Sequence, residues 1–247
     1  MDVDRLKLLS GPVGERVFER IEASKDPLAA TFAHFHEAVK FANDMAALHH
    51  NVTSITFSDS AFFATNRLFE AVDIARRLLL HLLWQKVPVR IGIAFGTLAV
   101  LGFESKDTPA GKINAAHFLG TAVVRAHATE SCGLKGLRIF LHPSAASLLT
   151  DSGHNPAGSV RTLDCPEDAA DNSARVAREI NYWPDAATEE KRVWTSLQDM
   201  WGTAPSIARR HYQATATAIN RMRMALGEPA LDKLRRRTLP RRVRPRS

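Results

Sequence analysis

The sequence has little cysteine, no long hydrophobic run and no apolar signal-peptide core near its first residue. Two cysteines, Cys132 and Cys165, are too few for a disulfide framework, and their spacing fits no zinc-binding pattern. The most apolar stretch, residues 78–84, is interrupted by His81 and is too short to span a bilayer. We therefore expect a cytoplasmic protein with reduced thiols and no transmembrane segment.

Acidic residues are also absent from residues 233–247, whereas this stretch contains eight of the chain's 33 lysines and arginines. The whole chain has a net charge of +7, so the remaining residues together are close to neutral. A proline-containing basic segment of this kind buries little apolar surface, which predicts a disordered tail. One interpretation is contact with nucleic acid or an anionic lipid surface, and the other is a solvated end without a specific partner.

Hydrophobic periodicity and turn residues predict an alternation of helices and strands. Helices are predicted over residues 12–24, 28–48, 66–86, 121–132, 143–149, 189–200 and 205–226. Strands are predicted over residues 52–57, 61–64, 137–142 and 160–163, with a strand-turn-strand unit over 89–103. Residues 103–116 are predicted to be a loop.

This order predicts an α+β fold, with a mostly antiparallel, ferredoxin-like sheet and helices packed on it. A ferredoxin-like unit should begin with a strand before the first helix, and only a weak one is available before residue 12. We expect one domain over residues 1–150, in which the first strand is either weak or missing. We also expect an extension over 151–230 that packs back on the core, and an Arg-rich tail over 231–247. In the extension, helix 205–226 is predicted to place Ile207 and Ile219 on one apolar face.

The predicted hairpin over residues 52–64 carries an aspartate at its tip, Asp59, flanked by Ser58 and Ser60. Both residue types hydrogen-bond the local backbone and favour turns, so the motif needs no further function. The alternative is a contact with a metal ion or with phosphate. A single carboxylate binds Mg²⁺ weakly unless substrate phosphates supply further ligands.

Three segments, ITFSDS, VRIGIAFG and the block from FLGTAVVRAHATESCGLKGL to RIFLHPSAASLL, carry a family resemblance. They resemble, in order and spacing, the class III nucleotidyl cyclase catalytic domain of adenylate and guanylate cyclases. GTAVVRAHATE is also similar to a divergent bacterial cyclase-like group with the pattern G-x-A-x-x-R-A-x-x-x-E. The resemblance covers roughly residues 12–150.

The resemblance implies a two-metal site, in which two aspartates hold the ions while an asparagine and an arginine stabilise developing charge. Asp59 falls on the second metal aspartate, and no motif matches the first. The asparagine falls on Val124 and the arginine on Ala128. The lysine that selects the base falls on Ile55, and the histidine of the V-R-x-G motif on Ala94. Losing one charge-stabilising donor typically lowers the rate by about 10²–10³.

We therefore expect a cyclase-homology domain without efficient catalysis that serves as a nucleotide-binding or dimerising regulatory module. The nucleotide-binding candidates are Ser58, Ser60, Gly120 and Arg125, and Asp59 is the candidate ligand of Mg²⁺ or Mn²⁺. Arg125 follows the asparagine position and is either an anion-binding residue or a surface arginine. The resemblance implies a homodimer and a nucleoside triphosphate ligand. An active cyclase with an atypical site and a nucleic-acid-associated protein remain the alternatives.

Overall fold

A computed structural model describes residues 27–46, 52–56, 59–104, 113–165 and 173–235. The chain divides into two compact units, Met1–Asn66 and Arg67–Ser247. The predicted helix over 12–24, a strand before it, and residues 236–247 of the basic tail lie outside the described residues.

The first unit contains helix α1, Pro27–Ala46, and a hairpin of strands β1, Thr53–Thr56, and β2, Ala61–Ala64. The two strands pair antiparallel, with Thr53 opposite Ala64 and Thr56 opposite Ala61. This arrangement confirms the predicted helix and the predicted hairpin. β-Branched residues and aromatic residues dominate the two strands, which suits a pleated and partly buried surface.

In the second unit, a sheet forms in the order β3, β6, β8, β7 among the described residues. The strands are β3, Ile91–Ile93; β6, Ile139–Leu141; β7, Thr162–Asp164; and β8, Arg178–Ile180. Strands β3 and β6 run parallel, and the pairs β6–β8 and β7–β8 run antiparallel. Together with the surrounding helices, this mixed sheet gives the predicted α+β class.

A second hairpin follows β3 and consists of β4, Ala99–Glu104, and β5, Ile113–Leu119. The prediction of a loop over residues 103–116 is therefore wrong at both of its ends. Phe103 pairs with Ala115, and Gly102 pairs with Ala116, so the backbone groups of these residues are satisfied by the partner strand. The small residues of β5 gave no alternating pattern from which this strand could be predicted.

Helices surround this sheet: α2, Leu68–Trp84; α3, Thr121–Glu130; the short α4, Pro143–Ala146; α5, Ala187–Thr203; and α6, Ser206–Ala225. Apolar residues of α2 and α5, such as Leu79 and Leu197, share one core with Ile139 of β6 and Ile219 of α6. Leu83, also fully buried, extends this core along α2. The core therefore draws on residues before and after residue 150.

The stretch after β8 contributes the largest fully buried side chains, Tyr182 and Trp183. The Tyr182 hydroxyl donates a hydrogen bond of 2.8 Å to the carbonyl of Leu137, just before β6. Burial raises the pKa of the Tyr182 phenol far above its usual value, which keeps this donor protonated. On α6, Ile219 is buried, but Ile207 is 68% exposed, so the apolar face of this helix does not extend to its first turn as predicted.

Candidate functional site

Two glycines allow the turn after β3 to lie directly against the first turn of α3. Gly120 has a φ of +142°, and a Cβ there would lie 2.1 Å from the Thr97 carbonyl oxygen. A Cβ on Gly96 would lie 2.4 Å from Oγ1 of Thr121. Both contacts are far shorter than a carbon atom tolerates. These two positions require glycine for the close approach of backbone to backbone.

The start of α3 is capped by the neighbouring turn. The Thr121 amide donates to Oγ1 of Thr97, at 3.2 Å, and the Ala122 amide donates to the Thr97 carbonyl, at 3.1 Å. In return, the Thr97 amide donates to Oγ1 of Thr121, at 3.0 Å. The first amide groups of a helix usually lack partners and attract anions. Here two of them are satisfied by Thr97, so Gly120 has a backbone role in this structure.

Arg125 lies on the second turn of α3 and reaches the end of β3. Its Nη1 donates a hydrogen bond of 2.9 Å to the carbonyl of Phe95. Ser144 binds the same residue twice, because its Oγ donates to the Phe95 carbonyl at 2.8 Å and accepts from the Phe95 amide at 3.1 Å. Arg125 and Ser144 therefore meet where the parallel strands β3 and β6 both end. Ligands of α/β proteins frequently bind at this edge of the sheet.

His142 completes this group of residues at the end of β6. The Ser144 amide donates to Nδ1 of His142 at 3.0 Å, so the imidazole caps α4 immediately before Pro143. A nitrogen that accepts a backbone N–H carries no proton, which favours the neutral imidazole. Two effects lower the pKa of His142 below its usual value: burial, which is the larger, and the positive charge of Arg125. The edge of the sheet thus presents one permanent cation beside a neutral histidine.

An apolar surface borders this polar group. We define the α3 surface as Phe95, Leu98, Leu119 and Val124, whose side chains are 48%, 37%, 51% and 68% exposed. They are four of the seven exposed large hydrophobic side chains in the part of the chain that the structure describes. The backbone links them closely, since Ala99 pairs with Leu119 and the Val124 amide lies 3.4 Å from the Gly120 carbonyl. Grouped exposed apolar residues of this kind are typical of interaction sites.

The remaining predicted residues lie on the hairpin of the first unit. Asp59 and Ser60 are exposed in the turn between β1 and β2, and Ser58 lies outside the described residues. The structure places Gly120 and Arg125 near each other on the second unit, and Asp59 and Ser60 belong to the first unit. Their assignment to nucleotide or metal binding stays a prediction.

The described residues do not fit a preformed metal centre. No group of three or more histidine, cysteine, aspartate or glutamate side chains in the described ranges is arranged to hold an ion. One exposed carboxylate, Asp59, supplies too few oxygen ligands by itself for Mg²⁺ or Mn²⁺. We therefore derive no chemical step through a metal ion. At the position that the resemblance gives to a charge-stabilising asparagine, Val124 presents an exposed apolar side chain instead.

Sequence reasoning missed His142, Ser144 and the Thr97–Thr121 pair. A signal for the first two was present, because a polar residue followed by proline and serine is typical of a helix start. The threonine pair had no such signal. Thr97 and Thr121 are separated by a hairpin, and only the pairing of β4 with β5 brings them together.

None of the described helices combines the length and apolarity needed to cross a membrane. Comparisons of the chain with protein-family models, with curated proteins and with solved structures found no match.

Proposed function

We propose that this chain is a cyclase-homology module that lacks efficient cyclase catalysis and acts by self-association. The observation that carries the proposal is the α3 surface. The side chain at the position where a cyclase would stabilise its transition state, Val124, is apolar and 68% exposed. An apolar side chain there suits a protein contact and offers no donor to a phosphate.

The arrangement of β3, α3 and β6 supports the homology part of the proposal. Strand β3, helix α3 and strand β6 follow each other in the order predicted for the segments that carry the resemblance. Gly120 and Arg125 come from the same sequence block and lie at the end of β3. This part of the proposal rests on element order and on short motifs.

The β4–β5 hairpin supports self-association. Within the described residues, its two strands pair only with each other. An isolated two-stranded hairpin is marginally stable in water and gains stability when another surface covers it. Leu119 is the last residue of the hairpin and also belongs to the α3 surface, so one partner could cover both. A second copy of the chain is the partner we propose, since cyclase domains pair and build their sites between subunits.

A nucleoside triphosphate is the ligand we propose for the same module, with Arg125 as its anion contact. The guanidinium donates one hydrogen bond to the Phe95 carbonyl, which orients it and leaves further N–H groups for a phosphate. The low cysteine content of the chain, with Cys132 and Cys165 alone, suits the cytoplasmic location that we also propose.

Self-association is tested with two matched variants. Val124→Glu and Ile207→Glu each replace an apolar helical residue that is 68% exposed, and only the first lies on the α3 surface. Analytical ultracentrifugation over a concentration series should show a wild-type dimer. We expect Val124→Glu to weaken dimerisation at least about tenfold, because a buried unpaired carboxylate is costly. Ile207→Glu should leave it unchanged. A wild-type monomer at every concentration, or equal weakening by both variants, would refute the proposal.

The absence of efficient catalysis is tested by incubating the purified protein with each of the four nucleoside triphosphates and Mn²⁺ and separating the products. We expect no cyclic nucleotide above the background. The matched variants are Asp59→Ala and Asp232→Ala, which each remove one exposed carboxylate. A cyclic product that disappears in Asp59→Ala and persists in Asp232→Ala would overturn the proposal and establish an active cyclase with an atypical site.

A further inference from the structure

A cavity lies at the opposite end of β3 from Arg125, His142 and Ser144, which we call the Arg125 group. It has a volume of about 300 Å³, at the small end of the range for ligand sites. Arg90, immediately before β3, and Glu130, the last residue of α3, line one side of it. His211 and Tyr212 of α6 line another side. We call it the α6 cavity.

One wall of the α6 cavity is apolar. Val89, Leu137 and Ala208 line it together with the ring of Tyr212. The Tyr212 side chain is partly buried, and burial raises the pKa of its phenol above the usual value. The hydroxyl therefore remains a hydrogen-bond donor throughout the neutral range. An apolar wall with a few polar groups is the usual composition of a small-molecule site.

The polar side is held rigidly. The Arg90 Nε and Nη2 donate to one oxygen of Glu130, at 3.3 and 3.1 Å. Its Nη1 donates to the Leu134 carbonyl. These three hydrogen bonds fix the guanidinium plane, so a ligand need not order it on binding. The Glu130 carboxylate compensates the charge of Arg90.

The cavity nevertheless has an excess of positive charge around it. The pKa of His211 is lowered below its usual value, mostly by burial and to a smaller extent by the charges of Arg210, Arg90 and Lys135. Arg210 belongs to α6 itself, while Lys135 precedes β6. Against these three cations the cavity lining contributes one carboxylate, Glu130. Because Glu130 already pairs with Arg90, the charges of Arg210 and Lys135 are not balanced by a carboxylate of the cavity lining, which favours a bound anion.

We propose that the α6 cavity binds a small organic anion, with its apolar body against the wall of Leu137, Ala208 and Tyr212 and its charged group toward His211 and Arg90. This inference goes beyond the proposed function and does not rest on it. The ligand class is an aromatic or branched aliphatic carboxylate, sulfonate or phosphate, because a cavity of about 300 Å³ suits a small ligand and the surrounding charge favours an anion.

The test uses benzenesulfonate as the probe and its neutral analogue benzenesulfonamide as the ligand control. Binding is followed by the amide resonances of the full chain in two-dimensional NMR. A ligand of roughly ten heavy atoms is expected to bind with a dissociation constant on the order of 1–10 mM. We expect saturable shifts at residues 208–212 with benzenesulfonate. The neutral analogue should bind at least about threefold more weakly.

Two double variants separate a local from a general charge effect. Lys135→Gln with Arg210→Gln removes two cations that act on His211. Lys191→Gln with Lys233→Gln removes two exposed cations that neither line the cavity nor act on His211. All four residues are exposed or at the surface, so folding should be preserved. We expect the first pair to weaken benzenesulfonate binding about 3–10-fold and the second to leave it unchanged.

A further variant, Arg125→Gln, distinguishes the α6 cavity from the group at the other end of α3. We expect it to leave the benzenesulfonate shifts at residues 208–212 unchanged. The proposal is overturned if no saturable shift occurs, if the sulfonamide binds equally well, or if both double variants weaken binding alike. Loss of binding in Arg125→Gln would place the probe at the end of β3 and would also overturn it.

Discussion

The buried ion pair between Arg138 and Glu179 makes a strong prediction about stability. Arg138 lies just before β6, and Glu179 lies in the centre of β8. Their side chains are 3% and 0% exposed. The Arg138 Nε and Nη2 donate to the two Glu179 oxygens, at 2.7 and 2.8 Å, in a bidentate arrangement. Arg221 of α6 donates a further hydrogen bond to Glu179, at 3.1 Å.

Arg138→Met removes the guanidinium while it retains an apolar side chain against the Phe140 ring, on which the guanidinium lies at 4.7 Å. Among the residues that the structure describes, Arg221 is then the remaining charged partner of Glu179, and its side chain is 30% exposed. Leaving a buried carboxylate without its main partner typically costs about 3–5 kcal/mol. Because single domains are stable by roughly 5–15 kcal/mol, this loss is a large fraction of the total.

The matched control is Arg161→Met. Arg161 also forms a bidentate pair, with Asp185, at 3.0 and 3.2 Å, but Asp185 is 76% exposed. An exposed pair contributes about 0–1 kcal/mol. Thermal unfolding by circular dichroism should therefore show a fall in Tm of roughly 6–20 °C for Arg138→Met, and of a few degrees at most for Arg161→Met.

A double variant distinguishes an unpaired charge from lost packing. Arg138→Met with Glu179→Leu removes both buried charges and should recover at least about half of the stability lost in Arg138→Met. Equal Tm values for Arg138→Met and Arg161→Met would show that burial does not govern the cost of breaking these pairs. A double variant less stable than Arg138→Met would refute the unpaired charge as its cause.

Two more predictions concern the ends of β3 and β6. Gly120→Ala should destabilise the fold by about 1–3 kcal/mol in chemical denaturation, because its φ is positive and a Cβ would collide with the Thr97 carbonyl. The control is Gly202→Ala on α5, where a Cβ would meet open space, and it should not destabilise the fold. Since the pKa of His142 is lowered in the folded state, the unfolded state binds protons first, and stability should fall as the pH drops below about 6.5. His142→Asn keeps an acceptor for the helix cap and should reduce the dependence of stability on pH, measured by urea unfolding from pH 8 to pH 5. His211, whose pKa is also lowered, contributes to the dependence that remains. An unchanged dependence in His142→Asn would contradict the assignment to His142.

The helices and hairpins with strong local patterns were predicted correctly. Helices α1, α2, α3, α5 and α6 each lie within about three residues of the predicted ranges, because their apolar residues recur at helical spacing. The β1–β2 hairpin was predicted from its β-branched residues and its serine-aspartate turn. Local chemistry sufficed for these elements, since each one is stabilised largely by residues near in sequence.

The short strands depend on partners far away in sequence and were harder to predict. Strand β8 consists of Arg178, Glu179 and Ile180, which has no alternating pattern and carries two charges in three residues. It is buried because Arg138, 41 residues away, neutralises Glu179. Arg138 and Glu179 are residue types that usually lie at the protein surface when they are considered one at a time. Only their pairing in the folded chain explains the burial of both.

The Arg125 group also combines residues that a local pattern predicts with residues that only distant pairing brings in. Gly120 and Arg125 were predicted from one sequence block, and they lie near each other because α3 connects them. His142 and Ser144 join them because β3 and β6 are parallel and end at the same edge. Parallel pairing is a long-range property that a local pattern does not determine. The proposed α6 cavity was missed for the same reason, as its lining comes from four separate segments.

The two proposals can be tested independently because α3 separates the features on which they rest. Val124 of the α3 surface and Arg125 lie in the first half of this helix, and Glu130, which lines the α6 cavity, is its last residue. Val124 and Glu130 are six residues apart, which corresponds to about 9 Å along the helix axis. Gly92 fixes α3 against β3, since a Cβ there would lie 2.3 Å from the Ala126 carbonyl oxygen. We therefore expect Val124→Glu to leave benzenesulfonate binding unchanged, and a changed affinity would show that the two ends of α3 are energetically coupled.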